Sequence, residues 1–175
     1  MGGDVMGRFD LERFVKAQDQ RHVGFASALE EIRAGGKDGH WIWYVLPQLS
    51  GLGSSPMARS YGLDGVEEAR AYLRHPVLSS RLLVMVRSIA EHVRRGADLT
   101  ALMGSSIDAL KLVSSLTLFE AVARLEAGEG DPSQLPLAQV AEEILTRAEA
   151  QGLSRCRYTL GQLERAGVRR RPPAD

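Results

Sequence analysis

His40-Trp41-Ile42-Trp43-Tyr44-Val45-Leu46-Pro47-Gln48 is the stretch whose reading decides the fold. Both tryptophans of the chain and one of its four tyrosines fall within four consecutive positions. Large aromatics bury roughly 150–250 Å² each, so this segment is expected near the centre of the molecule. Its periodicity is ambiguous. Trp41, Trp43 and Val45 would line one strand face and Ile42, Tyr44 and Leu46 the other, both apolar, and a short run apolar all round equally suits a buried helix. The neighbours favour the helix, because the segments on either side are helical and no second convincing strand is available for pairing. The expected element is a buried helix over about 40–47, with Asp38 as its N-cap and Pro47 stopping or kinking it.

Upstream, Leu11, Phe14 and Val15 give a helical pattern from Asp10 to Gln18, and Phe25, Leu29 and Ile32 form a stripe from Val23 to Arg33 that Gly35-Gly36 ends. Downstream, Ser54 or Ser55 before Pro56 has the form of an N-cap with proline in the first turn, opening a short helix to Tyr61. Asp64-Gly-Val-Glu67 reads as an Asp variant of the capping box for a helix ending at Arg74, and His75-Pro76 breaks it. A long amphipathic helix follows from about Val77 to Arg95, then a single capped turn at Asp98–Met103. From Asp108 to about Leu125 apolar residues wrap round the helix axis, which predicts a second buried rod. Ser114, Ser115 and Thr117 within it are small enough for another helix to approach closely. Leu137–Gln151 reads as a charged surface helix and Tyr158–Ala166 as a last short one. The fold class is therefore all-α: one multihelical domain over 9–167 with two buried central helices. Residues 1–8 are expected to be disordered and 168–175 to form a basic, proline-containing tail.

Composition sets the outer bounds. The 175 residues contain 44% hydrophobic and 25% charged residues, ordinary for a globular protein. Lys+Arg and Asp+Glu are 22 each, so no net field draws the chain to nucleic acid or to an anionic membrane. The single cysteine, Cys156, forms no intramolecular disulfide, and the chain has no apolar leader and no run of about 18 apolar residues. The expected setting is the cytoplasm, as a monomer or small homo-oligomer. Four histidines and one cysteine lack metal-ligand spacing, so neither metal nor cofactor is expected.

Several blocks of the chain resemble a known family. They are Phe14-Val15-x-Ala17-Gln18, His40-Trp41-x-Trp43 with Pro47-Gln48, and Gly51-Leu-Gly-x-Ser55-Pro-Met-Ala58. Tyr72-Leu73-x-His75-Pro76-Val77-Leu78 and Asp108-x-x-Lys111-Leu112-x-Ser114-Ser115-x-Thr117-Leu118-Phe119 complete the order, and Thr159-Leu160-x-x-Leu163 also fits. The blocks resemble those of the family known as domain of unknown function 1810 and cover most of residues 9–125. The resemblance implies an all-α single domain and carries no activity with it. Glu126–Gln151 departs from the family pattern, being longer and more charged.

Three places could hold chemistry. At helical spacing His40, Tyr44 and Gln48 share a side, with Lys37 just upstream. A histidine in a first turn feels the positive end of the dipole and stays neutral, as a general base should. Gly51–Pro56 is a glycine-bearing loop running into a helix N-terminus, where Ser54, Ser55 and Arg59 could meet a phosphate or carboxylate. Asp108, Lys111 and Ser115 lie on one helix face, where a Ser–Lys pair could act as nucleophile and base. The expected site is thus catalytic His40, Lys111 and Asp108, with Lys37, Tyr44, Gln48, Ser54, Ser55, Arg59, His75 and Ser115 binding the ligand. Each has a blander reading: a capping or core histidine, a capped turn, a structural ion pair with packing serines. The functional expectation is a small-ligand protein for an anionic or nucleotide-like molecule and, if an enzyme, a hydrolase, with N-glycosidic or ADP-ribose chemistry as a fold-level analogy. The alternative is a non-catalytic adaptor module.

Overall fold

The computed structural model describes residues 7–169. Ten α-helices are present among them: α1 (Glu12–Gln18), α2 (Phe25–Arg33), α3 (Ile42–Val45), α4 (Pro56–Tyr61), α5 (Gly65–Arg74), α6 (Pro76–Arg94), α7 (Leu99–Met103), α8 (Ser106–Gly128), α9 (Leu135–Ala150) and α10 (Arg157–Arg165). The all-α reading holds. No β-strand is present among the described residues, and the closest approach to one is an isolated parallel bridge, Leu49 with Leu63.

α8 is the axis. Leu112, Val113, Leu116, Leu118, Phe119 and Val122 are buried on all its sides, as a helix with no polar stripe must be. α9 lies along it and α5, α7 and α10 pack round it, while α6 packs on α9 and α2. Ser114, Ser115 and Thr117 are buried too, and their small side chains leave room for these neighbours. α9 corrects the expectation of a surface helix. Leu137, Ala138, Ala141, Ile144, Leu145 and Ala148 all face inward, because the alanines between its charges widen the apolar face. The expected tail is corrected as well: Val168 is buried, its N–H bonded to Leu163 O at 3.0 Å. Residues 1–6 and 170–175 lie outside the described range, and with them most of both expected tails.

The aromatic segment is buried and helical, but only for one turn, against the 40–47 expected. Two causes cut it short. Leu46 precedes Pro47 and leaves the helix at φ −126°, ψ 68°, as residues before proline tend to do. At the other end the chain is held by a carboxylate. Glu31 of α2 accepts the N–H groups of Asp38 and Gly39, each at 3.0 Å, and the Trp41 indole at 2.7 Å. Asp38 therefore caps nothing, and His40 stands outside any helix. The same loop is gripped from α7, where Lys37 N–H bonds Leu102 O at 2.8 Å. Gly104 approaches so closely, with φ +83°, that a Cβ there would sit 2.7 Å from Lys37 O.

Aromatic side chains then connect α1, α5 and α8. Phe14 meets Tyr72 edge-on at 5.2 Å, and Tyr72 meets Phe119 at 5.2 Å. Gln18 crosslinks the layer, donating to Tyr44 O at 2.7 Å and to the Tyr72 hydroxyl at 3.1 Å. Burial pushes the Tyr72 hydroxyl far above its ordinary pKa, so it stays a neutral partner.

Burial pushes the Glu31 carboxyl up, yet the N–H of Asp38, the Trp41 indole, the N–H of Gly39 and the Lys37 charge together hold it below its usual 4.5. Its stabilising contribution is therefore complete above the unfolded-state pKa and lost as pH falls through the lower folded-state value. Glu31→Gln puts an amide donor among donors and is expected to lower stability by about 1–3 kcal/mol at pH 7. In urea denaturation the gap from wild type should close as the pH drops below the carboxylate range.

Candidate functional site

The first turn of α8 is capped by Ser105, whose hydroxyl accepts Asp108 N–H at 3.1 Å. From that turn the Asp108 carboxylate meets the loop gripped by Glu31. There Lys37, its side chain 4% exposed, meets Asp108 Oδ2 at 2.6 Å. Its ammonium also donates to Gly39 O and lies 5.1 Å from the Trp41 ring centroid. Lys111, one turn along α8, is 3.6 Å from Asp108 Oδ1 and 4.5 Å from the Trp43 ring centroid. Two ammonium groups thus share one carboxylate, and the distances show which holds it. Lys37 is buried and engaged; Lys111, 22% exposed, is the cation with spare capacity.

Lys111 opens onto a groove of about 460 Å³. Trp43 forms its floor, Gln48, Leu52, Ser54 and Ser55 one wall, and Ile107, Leu110, Lys111 and Ser114 of α8 the other. The loop wall is firmly built. Gln48 Nε2 donates to Leu52 O at 3.0 Å, and Tyr158 of α10 donates to Ser50 O at 2.9 Å. The Tyr158 hydroxyl lies where a Cβ on Gly51 would stand, at 2.3 Å, so only glycine fits there. Two of the three buried side-chain polar atoms without a partner among the described residues, Trp43 Nε1 and Ser115 Oγ, belong to this floor or to the α8 turn beside it; the third is Thr159 Oγ1. Such orphans are uncommon in native proteins and call for a reason.

The expected residues divide. Lys37, Asp108 and Lys111 come together, and Gln48, Ser54 and Ser55 line the same groove. The others do not join them. His40 is exposed on the loop and is not part of the groove lining, because the helix that would have aimed it begins after it. Tyr44 is buried and donates to Val23 O at 2.5 Å, with burial, Tyr61 and Glu31 pushing its hydroxyl up. Ser115 is fully buried; α8 presents 110, 111 and 114 to the groove, so Ser114 takes the expected place of Ser115. Arg59 is exposed and outside the lining. His75 caps α6, its Nδ1 accepting Leu78 N–H at 3.4 Å. The phosphate cradle expected at Gly51–Pro56 is a capped turn, since the Ser55 hydroxyl already accepts Ala58 N–H at 3.1 Å. Among the described residues no three His, Cys, Asp or Glu side chains gather as a metal site would require.

Sequence reasoning missed Trp43 as a floor, Ser114 and Glu31. Ser114 lies three residues after Lys111, a spacing that could have nominated it beside Ser115. Glu31 gave no signal, since its donors lie 7–10 residues away across a loop.

The model of the family described as protein of unknown function, DUF1810, matches residues 8–129. The chain belongs to this family. Among solved structures it is similar to the conserved hypothetical protein Rv1873 from Mycobacterium tuberculosis, at 38% identity and a TM-score of 0.67, over 87% of this chain and 95% of that one. No curated protein matches. The match to DUF1810 takes in α1 to α8, and so the ion pairs, Trp43 and both groove walls. It stops before α9 and α10, which supply the packing behind α8 and the Tyr158 clamp.

Asp108→Ala strands the buried Lys37 ammonium and is expected to cost about 3–5 kcal/mol. Lys111→Met, at the more exposed partner, should stay within about 1 kcal/mol of wild type. Ser115→Ala removes a buried hydroxyl without a partner and should be neutral or stabilising by up to about 1 kcal/mol. Urea denaturation of the three variants measures all of these.

Proposed function

We propose that the groove binds a small anionic molecule with a flat or apolar body. The acidic group pairs with Lys111 and accepts from the hydroxyl of Ser54, while the body lies along Trp43 and Leu52. The carrying observation is the Lys111 ammonium, held over an indole face beside a carboxylate that Lys37 has already taken. A cation placed this way still offers donors to a second anion. Nucleotide-like molecules are within this class, since a base can stack on Trp43 while a phosphate meets Lys111. The groove favours binding over hydrolysis: Asp108 is tied to Lys37, and His40 is not part of the lining. A cytoplasmic setting suits the same reading, because a lone cysteine needs no oxidising compartment.

A second reading rests on the groove's rim. Ile107 is 65% exposed and Leu110 51%, unusual for large apolar side chains beside a concavity, and a partner protein could cover them. No helix of the described residues is long and apolar enough to cross a membrane.

Thermal shift with inorganic phosphate, AMP, ADP-ribose and aliphatic or aromatic carboxylates separates the readings. A ligand at about 100 times its Kd should raise the melting temperature by roughly 5–10 °C. The shift should vanish in Lys111→Met and persist in His40→Ala. A panel that moves nothing, or a shift equal in Lys111→Met and wild type, overturns the anion reading.

A further inference from the structure

Cys156 is the N-cap of α10, a helix of nine residues. The end of a helix presents unpaired N–H groups and the positive end of the dipole, which favour a thiolate over a thiol. The residue is half-buried. Its position is fixed from α8, where Thr117 Oγ1 accepts Cys156 N–H at 3.3 Å while donating to Val113 O at 2.6 Å. That hydroxyl is therefore committed. Arg155, the neighbouring cation, is committed as well, to Glu142 and Glu149 at 2.9 Å each. Burial pushes the Cys156 thiol up, but the Ser114 and Thr159 hydroxyls and the N–H groups of Thr159 and Tyr158 together leave it below its ordinary value.

Thr159 is the independent observation. It is 0% exposed, and its hydroxyl has no nitrogen or oxygen partner. Thr159 is the N3 residue of α10, the position whose side chain lies beside that of the N-cap. A buried hydroxyl left without a good acceptor is costly, and an oxygen bonded to the Cys156 sulfur would supply one.

We propose that Cys156 is a nucleophilic thiol that hydrogen peroxide converts to a sulfenic acid, with the Thr159 hydroxyl holding the added oxygen. The thiolate sulfur attacks one peroxide oxygen, so the S–O bond forms as the O–O bond breaks. Hydroxide leaves and takes a proton from solvent. Sulfur loses two electrons, and the peroxide is reduced to water and the sulfenic oxygen. No second cysteine exists in the sequence to form an internal disulfide. Return to the thiol therefore takes two equivalents of an external thiol: the first condenses with the sulfenic acid to a mixed disulfide and releases water, and the second exchanges onto the first thiol's sulfur and frees the Cys156 thiol.

The test uses the full chain treated with hydrogen peroxide, with dimedone trapping the sulfenic acid and intact-mass spectrometry reading the adduct. Wild type should gain one dimedone adduct and Cys156→Ser none. Thr159→Val keeps the shape, removes the hydroxyl and should oxidise about tenfold more slowly, the scale of one hydrogen bond to a charged group. Thr159→Ser keeps the hydroxyl and should oxidise at the wild-type rate, separating the hydroxyl's role from packing. A wild-type thiol that reacts no faster than free cysteine overturns the proposal. So does a folded Thr159→Val variant that oxidises at the wild-type rate.

Discussion

The carboxylate of Glu31 holds the rest of the molecule in register. It collects three donors from a loop that would otherwise bury unpaired N–H groups, and so fixes where Trp41 enters the core. With the loop fixed, the Lys37 ammonium can reach Asp108. α2, the loop, α7 and α8 are thereby joined through two charges of opposite sign that sit in sequence order. An ion pair as buried as Lys37 with Asp108 repays its desolvation only when further polar atoms complete it. Gly39 O and the Trp41 ring face supply them on the lysine side. The pair therefore depends on the Glu31 loop.

α8 solves a different problem. A helix apolar all round must be covered on every side, and the cover must come close without clashing. Ser114, Ser115 and Thr117 allow this at the middle of the rod. Their hydroxyls are disposed of separately: Ser114 returns to Leu110 O at 3.0 Å, Thr117 to Val113 O, and Ser115 to nothing. Bonding back to the preceding turn is the usual solution for such residues in a helix. The one left unpaired lies behind the groove; Ser114 on one side of it lines the groove, and Thr117 on the other accepts the Cys156 N–H.

Most helices were legible because their apolar spacing and their stop signals agree. Proline at N1 with Ser55 or His75 before it, and glycine after α2, α6 and α7, place the boundaries of α4, α6 and α7 within a residue or two. Capping by sequence type was less secure: Asp64 stands at the N-cap of α5 yet makes no side-chain cap. The aromatic run misled in length for a similar reason. Its periodicity is apolar throughout, so nothing in it marks a start, and the start is set by a distant carboxylate. α9 misled in depth, because alanine counts as neither polar nor large when a stripe is read. For the site, the pairing of Asp108 with Lys111 was legible from spacing. The closer partner Lys37, some 71 positions upstream, was visible only as a neighbour of the aromatic run.

The sharing of one carboxylate between two lysines bears on what the groove can do. Were Asp108 equidistant from both, the cluster would be a closed structural unit with its charge delocalised inside. The difference of 2.6 Å against 3.6 Å breaks that symmetry, and burial deepens it, since the shorter contact is also the drier one. Coulomb attraction across the dry contact outweighs that across the wet one, where solvent screens it. Lys111 therefore contributes little to holding the fold, yet it is packed against an indole instead of being left free in solvent. A lysine restrained at entropic cost and returning little stability is what the anion site proposed for this groove requires.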